Sequence, residues 1–408
     1  MEIDKELMTK IYDLRRRLHS IPEASMHEMQ TKAVLMSFLR ENTDLEIVDR
    51  GAWFYAVLKS SDDRIEDADN DCDKGISLNE KAAKRQPIAF RADMDAVCGQ
   101  DGKPGHYCGH DGHSSILCGA AVWLSRAMEK CGNTHVCDRN NNSGAIGRNQ
   151  IINRDVYFIF QPGEEIGAGA RLCRDLIIEK NIGEIYGLHN IPGYPRNHVL
   201  AIDGTFACAS TGLEIHMTGT ASHAAYPEAG KNPGPALARL LLEVERLTEE
   251  YNRSMGFVRM TLIGMDIGSA NYGVAASEGT LRMTVRAERE KVFAGYVDEI
   301  KRIAQNTADD GGFTLDIQEI ERFPATENHA ENVDKLRKCA AKQDIVVTEL
   351  AEPMRWSEDF GYYLQETKGA FFGVGDGEDH AQLHTAGFEF PDEIIETAVK
   401  MFVGLALM

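Results

Sequence analysis

The chain has 408 residues, 43% of them hydrophobic, and 64 acidic against 44 basic side chains give it a net charge of −20. That balance repels phosphate backbones and anionic membrane surfaces, and no Lys/Arg stripe offsets it, so nucleic acid and membranes are excluded as expected partners. Nine cysteines, irregularly spaced and in part embedded in apolar runs, as Cys118 is, argue against a disulfide framework and for a reducing cytoplasm.

The length predicts two domains. The opening MEIDKELMTKIYDLRRRLHS reads as an amphipathic helix, neither signal peptide nor anchor, and no apolar stretch reaches the roughly 20 residues that a membrane span needs. FYAVLKS and PIAFRADMDAV read as strands, SSILCGAAVWLSRAMEK as a helix and DVYFIFQP as a buried strand. GARLCRDLIIEK reads as a further helix and EIYGLHN as a strand. This alternation predicts an α/β fold, a mostly parallel sheet flanked by helices, with ligands beyond the carboxyl ends of its strands.

Near residue 208 the pattern changes. STGLEIHMTGT alternates with period two, a helix follows over Asn232 to Tyr251, and FVRMTLIGMDI, GTLRMTVRAE, a second helix (EKVFAGYVDEIKRIAQNTA) and FTLDIQEIER complete a β-α-β-β-α-β set. The reading is an inserted α+β lid and dimerisation domain over 208–322, between two parts of a catalytic domain, 1–207 and 323–408. The last part supplies a helix around SEDFGYYLQE, the strand AFFGVG and a helix after Pro391. Stretches 62–86 and 131–150 lack a sustained apolar period and read as surface loops.

HYCGHDGH, from His106 to His113, packs three histidines, a cysteine and an aspartate into eight residues. Cys108 and His110 are close enough to meet one metal centre from a tight turn, and thiolate with imidazole suits zinc or a neighbouring transition metal. Glu164 and Glu165 follow an apolar strand, as does His189. Adjacent carboxylates at a strand end diverge, so one can bind metal while the other acts as general base. A pair of acids also suits a helix N-terminus, and a lone His189 a core position. Asp93 and Asp95 end the FRADMDAV strand and are placed to orient a ligand imidazole from behind. His380 and His384, read alone, are surface histidines.

Together RRRLHSIPEASMHEMQT, FRADMDAV, HYCGHDGH, FQPGEE, GLHN, TGTASHAAYPEAGKNP, SEDFGYYL and LHTAGFEF, in this order over nearly the whole chain, resemble the aminoacylase and hippurate-hydrolase type of metal-dependent amidohydrolases, which belong with the zinc-dependent exopeptidases. The resemblance implies a binuclear site with Cys108, His110, Glu165, His189 and His384 as ligands, holding two divalent ions: zinc or manganese first, cobalt or nickel next. It implies Glu164 as the base that activates water, Asp95 behind the site, and His223 of the inserted domain as oxyanion stabiliser, sometimes across a dimer. The implied reaction is hydrolysis of the amide bond in a small N-acyl amino acid or dipeptide-like substrate, by a homodimer.

Three features depart from the family pattern. Cys98 stands where a proline is usual, the connection from there to HYCGHDGH is short, and the Asn-Val-Ile-Pro turn of the inserted domain is replaced. There Arg286 aligns with the family's strand arginine as a partner for a substrate carboxylate, while Asn271 lies two residues upstream of its expected place, which Gly273 takes. The competing readings are a dipeptidase or aminopeptidase and, from another class, a metal-holding protein without catalysis. The second predicts loss of the base before the ligands, and Glu164 is present.

Overall fold

The computed structural model describes residues 1–60, 85–99, 102–132 and 152–408. The stretches 62–86 and 131–150, expected as surface loops, fall almost wholly outside the described residues. The chain forms two compact units, one of Met1–Gly204, Asn328–Ala351 and Tyr362–Met408, the other of Thr205–Glu327 and Glu352–Gly361.

The first unit is built on an eight-stranded sheet. Its strands are β1 (Glu46–Asp49), β2 (Phe54–Leu58), β3 (Ile88–Asp93), β4 (Val156–Gln161), β5 (Glu184–Pro192), β6 (Val199–Ala201), β7 (Val347–Glu349) and β8 (Lys368–Gly377), in the spatial order β1-β2-β4-β3-β5-β8-β6-β7. The central run β4-β3-β5-β8 is parallel throughout, so the expected mostly parallel α/β sheet is present. Every residue of β2, β3, β4 and β5 is buried, which is why these strands read as continuous apolar runs and not as alternations. Phe54 and Phe160 stack across β2 and β4 with ring centroids 4.5 Å apart.

The helices that cover this sheet follow from their apolar spacing. In α1 (Lys5–His19), Leu7, Ile11, Leu14 and Leu18 recur every three or four residues and are all buried, and the Asp4 carboxylate caps the first turn by accepting from the Leu7 N–H at 2.8 Å. Next come α2 (Met29–Asn42) and α3 (His110–Gly132), the latter packing on β3 and against α1, followed late in the chain by α4 (Ala330–Ala341) and α5 (Ile395–Ala406). The small residues of α3, Gly119, Ala120 and Ala121, allow the close approach; a Cβ on Gly119 would sit 2.5 Å from the Ile11 side chain.

The second unit is a four-stranded antiparallel sheet, ordered Val258–Ile267, Glu278–Ala287, Ala209–Thr218, Thr314–Phe323, with helices Gly234–Ser254 and Glu290–Gly311. Its strand Glu278–Ala287 alternates buried Leu281, Met283 and Val285 with half-buried residues, and the buried set packs with Leu237, Val244, Phe293 and Ile300 of the helices.

Three sequence expectations change. GARLCRDLIIEK folds as two short helices, Gly169–Cys173 and Asp175–Glu179. In SEDFGYYLQE only Gly361–Leu364 is helical. There the Glu358 side chain accepts from the Phe360 N–H at 3.1 Å, a local bond that competes with the helical ladder. Glu352–Gly361, which the sequence reading left with the catalytic domain, groups with the second unit.

Candidate metal centre

The carboxyl ends of β3, β4 and β5 and the start of α3 gather the polar residues of the first unit. Cys108 and His110 stand on the turn that opens α3, joined by Gly109 with φ +95°, a conformation that side-chain-bearing residues rarely adopt. A Cβ there would also meet the Asn190 side chain at 2.5 Å, so the turn requires glycine twice over.

Cys108 Sγ lies 3.3 Å from His189 Nε2 and 3.2 Å from His384 Nε2. Glu165 Oε1 is 3.4 Å from His384 Nε2 and 3.8 Å from His110 Nε2. The donor atoms form overlapping sets, Cys108 with His110 and His189, and Cys108 with Glu165 and His384, each within 4.8 Å of one another. His384, a surface histidine when read alone, is thus drawn to the cluster. It does so with φ 60°, an uncommon backbone for a side-chain-bearing residue, and its N–H donates to the Tyr107 carbonyl at 2.8 Å.

The imidazoles are held from behind. His110 Nδ1 is 3.0 Å from the Asp95 main-chain oxygen and 3.2 Å from its carboxylate, and His189 Nδ1 is 2.7 Å from the Asn190 carbonyl. A ring that donates through Nδ1 keeps a lone pair on Nε2, the atom each ring turns into the cluster. Asp95 in turn accepts from Ser25 Oγ at 2.7 Å and from the Glu165 N–H at 3.0 Å, tying one ligand's support to another's main chain. Asp93 serves a different ring, His113, at 2.7 Å, and is itself bound by Arg91 at 2.7 Å.

The electrostatics fit a cation. Burial opposes a charge on His110, but Asp93, the hydrogen-bonded Asp95 and Glu165 outweigh it and raise its pKa to about 10. Burial, with Glu165, Glu164 and Asp93 nearby, pushes the Cys108 thiol well up, while burial and the neighbouring His113 and His110 push His189 well down. Positive charge is favoured beside these carboxylates, and a thiol that resists ionisation alone loses its proton readily to a bound metal. The buried His110 Nε2 and Glu165 Oε1 have no hydrogen-bond partner among the described residues. Two unpartnered buried donors 3.8 Å apart, with a thiol and two further imidazoles around them, fit divalent-ion ligation by nitrogen, sulfur and oxygen.

Glu164 is buried beside Glu165, with its Oε2 4.0 Å from His110 Nε2. His223, Asn271 and Arg286 all belong to the second unit. His223 is exposed and its Nδ1 accepts from the Ala225 N–H at 3.1 Å; Asn271 Oδ1 accepts from the Gly273 N–H at 3.0 Å. Arg286 donates to Ser357 Oγ at 2.9 Å and to the Arg355 carbonyl at 3.3 Å. His380 remains a surface residue, 2.8 Å from the Glu389 carbonyl.

Sequence reasoning gave no role to Glu28 or to the pair His19 and Asp111. Glu28 accepts from the Gly163 N–H at 2.7 Å and the Met26 N–H at 2.8 Å, fixing the turn that presents Glu164 and Glu165. His19 holds Asp111, next to His110, at 2.8 Å. These residues lie within the quoted motifs, but only the folded chain shows what they touch.

The chain belongs to the peptidase family M20/M25/M40, whose pattern its residues 145–408 match, and it is a metallopeptidase-like hydrolase acting on carbon–nitrogen bonds. It is 24% identical over 417 residues to N-acetylcysteine deacetylase of Bacillus subtilis, covering 99% of this chain and 98% of that one. With N-acetyldiaminopimelate deacetylase of Leuconostoc citreum it shares 26% identity over 418 residues, 95% and 94% of the two chains. Its fold matches the crystal structure of a Bacillus subtilis dinuclear metal-binding peptidase of the M20 family with a TM-score of 0.76 at 22% identity, covering 99% and 98%. The aminobenzoyl-glutamate utilization protein of Klebsiella pneumoniae matches at 0.67 and 19% identity, covering 99% and 96%.

Proposed function

We propose that the protein hydrolyses the amide bond of a small N-acyl amino acid or related conjugate, using two divalent ions, zinc or manganese before cobalt or nickel. Cys108, His110, Glu165, His189 and His384 are the ligands. The observation that carries this reading is the convergence of those five side chains, with the unpartnered His110 Nε2 and Glu165 Oε1 among them. The deacetylase relatives support the substrate class.

When bound, the ions polarise the substrate carbonyl and lower the pKa of water at the site toward about 7. Glu164 takes the proton of the attacking water and hands it to the leaving nitrogen; its burial beside a ligand, and not in bulk water, suits a group that exchanges protons. Asp95 keeps the His110 ring in register. On the second unit, His223 stabilises the developing oxyanion, and Arg286, with Asn271 of the same unit, receives the substrate's α-carboxylate. The working form is a homodimer that pairs through the second unit.

The division of labour between adjacent glutamates gives the test. Glu164→Gln keeps shape but cannot accept a proton, so it retains both metals and loses roughly 100-fold or more in turnover. Glu165→Gln loses metal first and activity as a consequence. Metal content measured beside rate for both proteins reads the outcome; a metal-free Glu164→Gln with a metal-replete, slow Glu165→Gln reverses the pair, and normal turnover by Glu164→Gln overturns the mechanism. A screen of N-acetyl, N-benzoyl and indole-acetyl amino acids beside dipeptides separates this reading from a dipeptidase.

A further inference from the structure

At the amino ends of the same strands, opposite the candidate metal centre, lies a cavity of about 290 Å³. Arg85 stands just ahead of β3 and Arg154 just ahead of β4, while Glu184 opens β5 and Lys368 opens β8. Glu331 and Lys335 reach it from the beginning of α4. Among the described lining residues four cations (Arg85, Arg154, Lys335, Lys368) stand against two acids (Glu184, Glu331), in a chain of net charge −20.

The internal pairs leave that excess of cations in place. Glu184 serves both Arg154 and Lys335, the latter at 2.6 Å, and also accepts from Asn332 and Tyr186 at 3.0 Å, so one carboxylate is shared by two cations. Glu331 pairs with Lys368 at 2.5 Å, and among the described residues the Arg85 side chain donates to the oxygen of Met408, the last residue, at 2.7 Å. Arg154, whose side chain is 4% exposed, gives one further bond to the Leu405 carbonyl and keeps its Nε–H without an acceptor among the described residues. Burial pushes its guanidinium below the ordinary value in spite of Glu184, the sign of a cation whose desolvation is incompletely compensated. The twelve-residue helix α4 also begins here without a side-chain cap, adding the positive end of its dipole.

We propose that this cavity binds a small, doubly charged oxyanion, a phosphate group or a dicarboxylate, at a site separate from the metal centre. An apolar or neutral ligand would leave the excess positive charge unbalanced, whereas an oxyanion offsets it and can accept from Arg85, Lys335 and Lys368 together. Lys335 and Lys368 are 37% and 62% exposed, so their ammonium groups are free to close on it.

The test is calorimetric titration of the full-length, metal-loaded protein with inorganic phosphate and, separately, with succinate at fixed ionic strength. At least one anion binds saturably to the wild type. Arg85→Gln/Lys368→Gln, which alters two exposed side chains outside the catalytic machinery, weakens that binding at least about tenfold while amide hydrolysis without the anion stays unchanged. Lys335→Gln weakens it independently. If neither anion saturates, the proposal is wrong. If the double variant binds as the wild type does, the ion sits elsewhere, at the metals or on the surface, and the proposal is equally overturned.

Discussion

The two sheets of this protein solve burial in opposite ways. In the first unit β3 and β4 bury every residue on both faces, whereas the strand Glu278–Ala287 of the second unit alternates buried with half-buried positions and leaves one face wet. A sheet dry on both faces keeps few polar groups along its strands, so Asp93, Glu164 and His189 collect toward the carboxyl ends, as expected for an open parallel sheet. A sheet with one wet face spreads its polar residues sideways and keeps edges available for pairing.

The sharpest way to break this contrast is to truncate one apolar side chain on each sheet. Phe160→Ala, at a fully buried position stacked on Phe54, should cost about 3–5 kcal/mol, whereas Leu262→Ala, 46% exposed on the edge strand Val258–Ile267, should cost less than about 1 kcal/mol. Urea unfolding of both variants checks this, and similar losses would erase the distinction. Next in size is the strand-end chemistry. Cys108→Ala should weaken metal binding by about 100-fold or more, since even supporting residues behind a ligand cost about 10–100-fold. Metal analysis after dialysis reads it, and chelation should lower the Tm of the wild type more than that of the variant.

A smaller effect concerns what a dry environment does to a carboxyl. Burial pushes Asp376, at the end of β8, up to about 6, against the pull of the Asn190 hydrogen bond and of His380, His113 and Arg196. The folded chain then holds a proton that the unfolded chain has released above its ordinary value near 3.8, so this group makes stability fall as pH rises from about 4 to about 6, and the loss is complete above that. Asp376→Asn, which keeps an acceptor for Asn190, should flatten roughly 1–3 kcal/mol of that slope in unfolding measured between pH 4 and 7. The smallest expected change is on the wet sheet. Ile263, 62% exposed where the edge strand slips register between Leu262 and Gly264, should tolerate Lys within about 0.5 kcal/mol of stability. The same Ile263→Lys should shift a homodimer toward monomer in sedimentation, and an unchanged dimer would move the pairing surface elsewhere.

Much of this was legible from the residues. Buried parallel strands announced themselves as unbroken runs such as VYFIFQ, the second unit as alternation in GTLRMTV, and the density of donors in HYCGHDGH is chemical evidence by itself. What sequence spacing does not carry is which groups meet across long separations. Apart from the resemblance, His384 looks like His380; in the fold the Tyr107 carbonyl, 2.8 Å from its N–H, and Cys108 and Glu165 beside its ring give it a different place. Nothing in the sequence gives Glu28 a role, because its partner, the Gly163 N–H, lies 135 residues away. The SEDFGYYLQE helix failed for a local reason, the Glu358 side chain competing for a main-chain donor.

The bond between Tyr107 and His384 also sets an order of assembly. Cys108 and His384 are 276 residues apart, and the long second-unit segment, Thr205–Glu327, lies between them. Synthesis from the amino end delivers four of the five donors, Cys108, His110, Glu165 and His189, before any of that segment exists, and the fifth only after it has emerged. On the proposed ligand set, a growing chain passes through a stage that lacks His384, which arrives with the carboxyl-terminal segment. Closing so long a loop is entropically unfavourable and slow. Completion of the proposed centre would then wait for the last part of the chain.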